Sequence, residues 1–370
     1  MKQRITIFVL LASSFLLFQC SKPNEKKTIK VGALLSLSGD IAEYGQRVKK
    51  GIDLAVKEIN SQNGINGKKI EIIYEDTKGN PKDGVNGAQK LIANKDIKII
   101  IGTISSSVTL AVEPITTQNH ILLFSPAASS PRLTGISKYF FRNWPSDVLE
   151  AAILAEYTYE TLKMNNVAIL YVNNDYGIGL TNRFKQRFEE LGGQVVIQDT
   201  YSQNANDFRS QLTKIKKYNP SAIYLAGYHR EMAYATNQIK ELGIKCQILG
   251  DADYGVKELL EITGNASEGA IFSIPTTEFK DDITSNFRSN FIKEYKKEPS
   301  TFEANGYDVV NILKKSIESV GYNIDSISKY ISNLKNYHGV AGLQSFNNKG
   351  DVIKPISIKK VKNNQFITLK

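Results

Sequence analysis

Two short stretches hold the residue types best suited to grip a small charged molecule. The first is Lys98-Ile-Ile-Ile-Gly-Thr-Ile-Ser-Ser-Ser107, where a β-branched apolar run from Ile97 to Ile101 meets Gly102 and then three serines. The run has the length of a buried parallel strand, and Val108 to Ile115 reads as the opening of a helix. A serine-rich turn between strand and helix presents outward N–H groups, hydroxyls and the positive end of the helix dipole. Together these make an anion-binding corner suited to a carboxylate. The second stretch repeats the device, with Ile121 to Phe124 as strand and Ser125-Pro-Ala-Ala-Ser-Ser-Pro131 as the small-residue turn. One such turn is equally well explained by helix capping. Two on neighbouring strands favour a ligand site.

Other chemistries find little support. The three histidines, His120, His229 and His338, show no metal-ligand spacing, and no CxxC, GxxxxGK[ST], GxSxG or HExxH occurs. Gly177-Ile-Gly179 begins a phosphate-type turn, but Asn182 occupies the third glycine position. Ser106, His229 and Asp251 have the residue types of a hydrolase triad, yet nothing local brings them together. Glu231, opening a helix after a strand, reads first as a carboxylate favoured by the helix dipole. The expectation is binding without catalysis, metal or cofactor.

The elements that position these turns alternate strand and helix. Thr28 to Leu35 is a strand, followed by a turn with Ser36, Ser38 and Gly39 and a helix from about Gly45. Val48, Ile52, Ala55 and Ile59 line one face of that helix, and Gly64 with Gly67 terminates it. Ile70 to Tyr74 and Val85 to Ala93 continue the rhythm as strand and helix. After Trp144-Pro145 the pattern restarts with a helix over Leu149 to Leu162 and a strand over Asn166 to Val172. A turn through Gly179 follows, then a helix with Leu180, Phe184, Phe188 and Leu191 on one face. Gln194 to Ile197 and Ala222 to Ala226 read as strands, Phe208 to Lys217 and Glu231 to Leu242 as helices, and Gly339 to Leu369 as strand-rich. Each half thus begins strand, turn with Tyr-Gly, then helix, at Tyr44-Gly45 and Tyr176-Gly177. This is an α/β chain of two similar, doubly wound lobes with parallel sheets.

Size and composition agree. The 370 residues suit about two domains, and a chain 41% hydrophobic and 23% charged belongs to the globular class. The net charge of +10 comes from lysines scattered over outer helix faces, such as Lys49, Lys57, Lys214 and Lys293. No basic stripe interleaved with aromatics suggests nucleic acid. Residues 1–20 read as a leader: Lys2 and Arg4 precede an apolar run from Ile5 to Phe18 too short to span a membrane. It ends Leu17-Phe18-Gln19-Cys20, which resembles a bacterial lipoprotein signal whose cysteine is lipidated, although Gln19 replaces the usual small residue. Residues 21–27 form a polar tether. With Cys20 acylated, Cys246 has no partner and reads as a small buried hydrophobe.

Gly227-Tyr-His-Arg-Glu-Met232, the two serine turns, Gly64-Ile-Asn-Gly67 and Asp175-Tyr-Gly177 occur in an order that resembles the leucine/isoleucine/valine-binding proteins of ABC importers. That resemblance implies the type I periplasmic binding protein fold, two Rossmann-like lobes with parallel sheets joined by three crossover strands. The first lobe would take residues 28–142 and 253–342, the second 143–252 and 343–370. It also implies a site of Tyr44, Ile104, Ser105, Ser106, Ala127, Ala128, Ser129, Tyr176 and Glu231. Ser106 and Ser129 would bind an α-carboxylate, and the Ala127 carbonyl and Glu231 an α-ammonium. Tyr44, Ile104 and Tyr176 would line the side-chain end. The cysteine pair of some relatives, near Lys78 and Ser105, is missing, and Ser129 stands where threonine is common. Asp251 and Asp253 add acids that a purely aliphatic ligand side chain does not require.

The function implied is capture of a branched-chain or other neutral amino acid by a monomer held at the cell envelope through lipid on Cys20. It would face the periplasm or exterior and deliver to an ABC permease. A receptor for another small polar solute, such as an amide or urea, is the alternative, since only an ammonium demands a free carboxylate.

Overall fold

The computed structural model describes residues 28–276 and 281–369. The leader, the tether and the acylation expected at Cys20 lie outside the described residues.

Alternating hydrophobic runs and amphipathic helices build two parallel sheets. In the first, β1 (Ile29–Leu35), β2 (Ile70–Asp76), β3 (Ile99–Gly102), β4 (Leu122–Ser125) and β5 (Phe140–Arg142) lie in the order β2-β1-β3-β4-β5. Gly32 pairs with Ile100, and Ile101 pairs with Phe124, so the carboxyl ends of β1, β3 and β4 finish at one edge. That edge carries both serine turns. Strand β3 is buried along its whole length, as a run covered on both faces must be.

The second sheet holds β6 (Asn166–Val172), β7 (Gln194–Tyr201), β8 (Ala222–Ala226), β9 (Gln247–Gly250) and β10 (Ile271–Pro275), with β14 (Ile356–Lys362) and β15 (Gln365–Thr368) antiparallel at its edge. A small sheet of β11 (Tyr337–Gly339), β12 (Gly342–Phe346) and β13 (Val352–Ile353) leans on the first lobe, where Phe346 meets Phe124 and Phe141 edge-on. The chain passes between the two large sheets after β5, after β10 and after β13.

These pairings correct the expected lobe boundaries. Strand β10 joins β9 in parallel and β14 antiparallel, so the stretch from Asp253 to Pro275 belongs with the second sheet and not the first. Residues 343–353 stay with the first lobe, tied by the bridge between Arg142 and Asp351 and by the Arg142 guanidinium donating to the Asp351 carboxylate at 2.7 Å. Local alternation says that a strand exists, whereas long-range pairing decides which sheet takes it.

Two 20-residue helices close the first lobe: α1 (Ala42–Ser61) and, much later, a helix over Thr301–Val320. They pack backbone to backbone through glycines. A Cβ on Gly51 would lie 2.0 Å from the Glu303 carbonyl, and one on Gly306 would lie 2.4 Å from that of Val48. This contact brings Phe302 to Tyr44, with ring centroids 4.9 Å apart. The helix expected over Leu149 to Leu162 runs from Asp147 to Glu156 and ends in a wider turn over Tyr157–Thr161.

Candidate functional site

The two sheets present their carboxyl ends to one small cavity lined from both lobes. The first serine turn forms one wall. Gly102 leaves β3 at φ +146°, and a Cβ there would sit 2.2 Å from the Leu34 carbonyl, so only glycine lets the chain turn here. The helix Ser106–Gln118 follows at once. Ser105 occupies its N-cap position without making a side-chain cap bond, which leaves the hydroxyl to the cavity it lines. The helix dipole and the unpaired N–H groups of the first turn point the same way.

The second turn differs from its expected form. No long helix follows it, only a single 3-10 turn over Pro131–Leu133, so its N–H groups have little dipole behind them. It is folded instead by side chains. Ser125 Oγ donates to the Thr103 carbonyl at 2.7 Å and accepts from Ala128 N at 2.9 Å. Ser106 Oγ accepts from Ser129 N at 3.3 Å and Ser130 N at 3.2 Å, so one hydroxyl links both turns.

The opposite wall comes from the second lobe. Asn174 caps the helix Asp175–Glu190 by accepting from Tyr176 N and Gly177 N, both at 3.1 Å, which seats Tyr176 at the cavity. Tyr176 stacks on Tyr228 at 5.7 Å. Asp253, on the 3-10 turn Ala252–Gly255, adds the one carboxylate of the lining. Its burial, the neighbouring Asp251 and then Glu231 push its proton affinity well above the usual carboxylate range, while the Tyr176 hydroxyl donates to it at 3.4 Å. Trp144, on the first crossover, stacks on Phe302 at 5.0 Å and completes an aromatic side.

Of the nine residues expected, Tyr44, Ile104, Ser105, Ser106, Ala127, Ser129 and Tyr176 meet around this cavity. Ala128 does not line it: it is buried under the turn, with its N–H held by Ser125. Glu231 is also outside the lining, and its Oε1 accepts from Asn204 N at 2.9 Å in the loop beyond β7. Burial raises its proton affinity as well. Four lining residues were not among those expected: Trp144, Tyr228, Asp253 and Phe302. Tyr228 lies inside the quoted Gly227 motif, and Asp253 stood out as an acid without an obvious use. Phe302 carried no signal, being one apolar residue on an amphipathic helix.

Direct bonds join the two walls. Tyr44 Oη lies 2.7 Å from His229 Nδ1 and accepts from His229 N at 3.2 Å. Glu43 Oε2 stands 3.4 Å from His229 Nε2, and that bond, with Arg47 beside it, holds the Glu43 carboxyl below its ordinary range despite partial burial. Arg132 pairs with Asp175, whose N–H reaches Ser107 Oγ at 3.3 Å. Ser106, His229 and Asp251 do not form a triad: His229 is engaged by Tyr44, and Asp251 accepts from Gly227 N at 2.7 Å and Asp253 N at 2.9 Å.

Among the described residues there is no metal-ligating cluster, and no helix is long and apolar enough to cross a membrane. Cys246 is half-buried and free, with its thiol pushed up to about 11 by burial.

Comparison with known proteins places these features. A family model described as periplasmic binding protein matches residues 28–365. The Leu/Ile/Val-binding protein homolog 3 of Brucella melitensis is 28% identical over 333 residues, covering 88% of this chain and 89% of the relative. The leucine-, isoleucine-, valine-, threonine- and alanine-binding protein of Pseudomonas aeruginosa is 28% identical over 296 residues, 80% of this chain and 79% of the relative. Among solved structures, the leucine-binding protein LivK of Thermotoga maritima superposes with a TM-score of 0.87 at 29% identity, covering 93% of this chain and 98% of that one. LivJ of Streptococcus pneumoniae, solved with isoleucine, gives 0.84 at 27% identity, over 93% of this chain and 100% of that one. A solute-binding protein of Rhodopseudomonas palustris in complex with benzoate shares the fold at 0.84 with only 18% identity.

Proposed function

We propose that this chain, which belongs to the periplasmic binding protein family in its type I Leu/Ile/Val-binding branch, captures a neutral amino acid between its lobes for an ABC importer. The observation that carries this reading is the division of the cavity into a donor wall and an acidic wall. An α-carboxylate fits the hydroxyls of Ser105, Ser106 and Ser129 at the helix N-terminus. An α-ammonium fits between Asp253 and the Ala127 carbonyl, and the ligand side chain meets Tyr44, Ile104, Trp144, Tyr176, Tyr228 and Phe302. Asp253 takes the role that the resemblance gave to Glu231, which stands behind the wall and holds the Asn204 loop.

Relatives that bind leucine, isoleucine, valine, threonine and alanine support this substrate class. Because the cavity contacts come from both lobes, the ligand stabilises the closed arrangement by binding across it. The protein acts as a monomer held at the envelope by lipid on Cys20, exposed to the periplasm or exterior, and performs no catalysis. Acylation is tested by palmitate labelling of wild type and Cys20→Ser, which should differ completely.

Thermal denaturation against a panel of amino acids, amides and urea tests the substrate class. A true ligand at a free concentration about 100-fold over its dissociation constant stabilises by about 2.7 kcal/mol, a shift of several degrees. Stabilisation by amides or urea and by no amino acid would replace this reading with the neutral-solute receptor.

A further inference from the structure

We propose that the base of the first lobe, at the end of its sheet opposite the cleft, is a docking surface for an anionic phospholipid bilayer. In a parallel sheet every strand begins at one end and finishes at the other, so the loops entering the strands gather away from the ligand. Here those loops carry Lys30 at the start of β1, Lys68 before β2, and Lys95 and Lys98 before β3. Lys68, Lys95 and Lys98 are exposed. Asp96 is the one acid among the residues lining this groove, and Lys30 pairs with it at 2.9 Å. The floor is apolar, formed by Ile29, Ile65 and Ile317. Tyr322 stands at its side, 39% exposed, its hydroxyl donating to the Lys30 carbonyl at 3.3 Å. A half-exposed tyrosine over an apolar floor ringed by lysines suits the headgroup level of a bilayer.

At the cleft end of the lobe basic side chains stand among acids that pair with them, Arg47 with Glu43 and Lys78 with Asp83. The chain's path selects the occupant. The groove is lined by Thr28 itself, the residue where the tether enters the fold, and the tether adds Lys22, Lys26 and Lys27 against Glu25. The inference rests on acylation at Cys20 as proposed above. An extended chain spans at most about 3.3–3.6 Å per residue, so the base is kept within roughly 30 Å of the membrane. A lobe standing on its lysines turns its cleft away from the bilayer.

The test uses the chain from residue 20 onward carrying Cys20→Ser, which contains the whole described fold and bears no lipid, so its outcome does not depend on acylation. Sedimentation with vesicles of mixed phosphatidylglycerol and phosphatidylcholine is compared with phosphatidylcholine alone. Binding should require the anionic lipid and weaken with salt. A basic residue near such a surface contributes roughly fivefold in partitioning. Reversing Lys68, Lys95 and Lys98 together to Glu should therefore lower it on the order of a hundredfold or more. Reversing Lys216, Lys217 and Lys245 on the second lobe changes net charge equally and should cost far less. Equal losses from the two sets would overturn the proposal in favour of net charge alone. So would failure to sediment with either vesicle, which would leave the lysines to an acidic protein partner. Palmitate labelling separately reports the anchor.

Discussion

The two walls of the cleft are made from opposite chemistry. The first-lobe wall offers hydroxyls and N–H groups: Ser105, Ser106 and Ser129 around a helix N-terminus, with no carboxylate at the cavity. The second-lobe wall offers Asp253, with Asp251, Glu150 and Asp147 buried behind it. Neutral donors paired to one another are inexpensive to bury. Carboxylates are not, and burial raises the proton affinity of all four acids. The comparison teaches that the first wall keeps neutral donors open to an anion at little cost, whereas the second is stabilised when a cation meets it. A zwitterion satisfies both at once.

The sharpest way to break this contrast is to neutralise the acid at the cavity. Asp253→Asn should weaken amino-acid binding by roughly two to three orders of magnitude, because an ammonium buried without its counter-charge costs about 3–5 kcal/mol. Titration calorimetry decides it, with circular dichroism confirming the fold. Undiminished affinity would return the ammonium to Glu231.

The acids behind the wall make a second prediction, in stability. The Asp147 carboxyl is fully buried and its pKa is pushed up to about 7, mainly by burial, with the Ser129 hydroxyl and the nearby Arg142 guanidinium opposing the shift. A carboxyl raised in the folded state binds more protons folded than unfolded between its two pKa values. Stability therefore falls as pH climbs from about 4 to about 7, by on the order of 4 kcal/mol, and levels above. Glu150 and Asp251 act in the same direction. Asp147→Asn should flatten that slope and raise the melting temperature at pH 8. A steeper slope, or no change, would contradict the burial argument.

On the donor wall, Ser106→Ala removes the hydroxyl that links the two turns and, by our reading, one donor to the carboxylate. A hydrogen bond to a charged group is worth about 1.5–3 kcal/mol, so affinity should drop roughly ten- to a hundredfold in the same calorimetry. His229→Ala removes the imidazole that meets Tyr44 Oη and Glu43 across the walls without lining the cavity, and keeps the backbone N–H bond to Tyr44. The expected loss is about fivefold, from one ordinary hydrogen bond of ~1 kcal/mol. Scattering should show a larger radius of gyration at subsaturating ligand. The smallest effect belongs to Glu231→Gln, which keeps an acceptor for Asn204 N and should change affinity by less than about threefold by this geometry.

Much of this is legible in the residues themselves. Strand–helix alternation gave both lobes, because period and turn chemistry are written in residues a few positions apart. Gly102, followed by three serines, marked the helix N-terminus for the same reason. The Tyr-Gly echoes pointed to two similar lobes, whereas the cavity roles of Tyr44 and Tyr176 came from the family resemblance; both residues lie in the first turn of a helix. What the chain alone left open depends on residues far apart in it. Strand β10 joins the second sheet because of pairings with β9 and β14, and no property of Ile271 to Pro275 specifies that choice. Phe302 reaches the cavity only because glycines 51 and 306 let two distant helices touch. Glu231 and Asp253 are both acids in the first turn of a helical segment shortly after a strand, alike in sequence. Only the tertiary structure set one facing the cavity and the other against Asn204, because lobe packing, and not local pattern, decides which buried carboxylate is left without a backbone N–H and open to a ligand's charge.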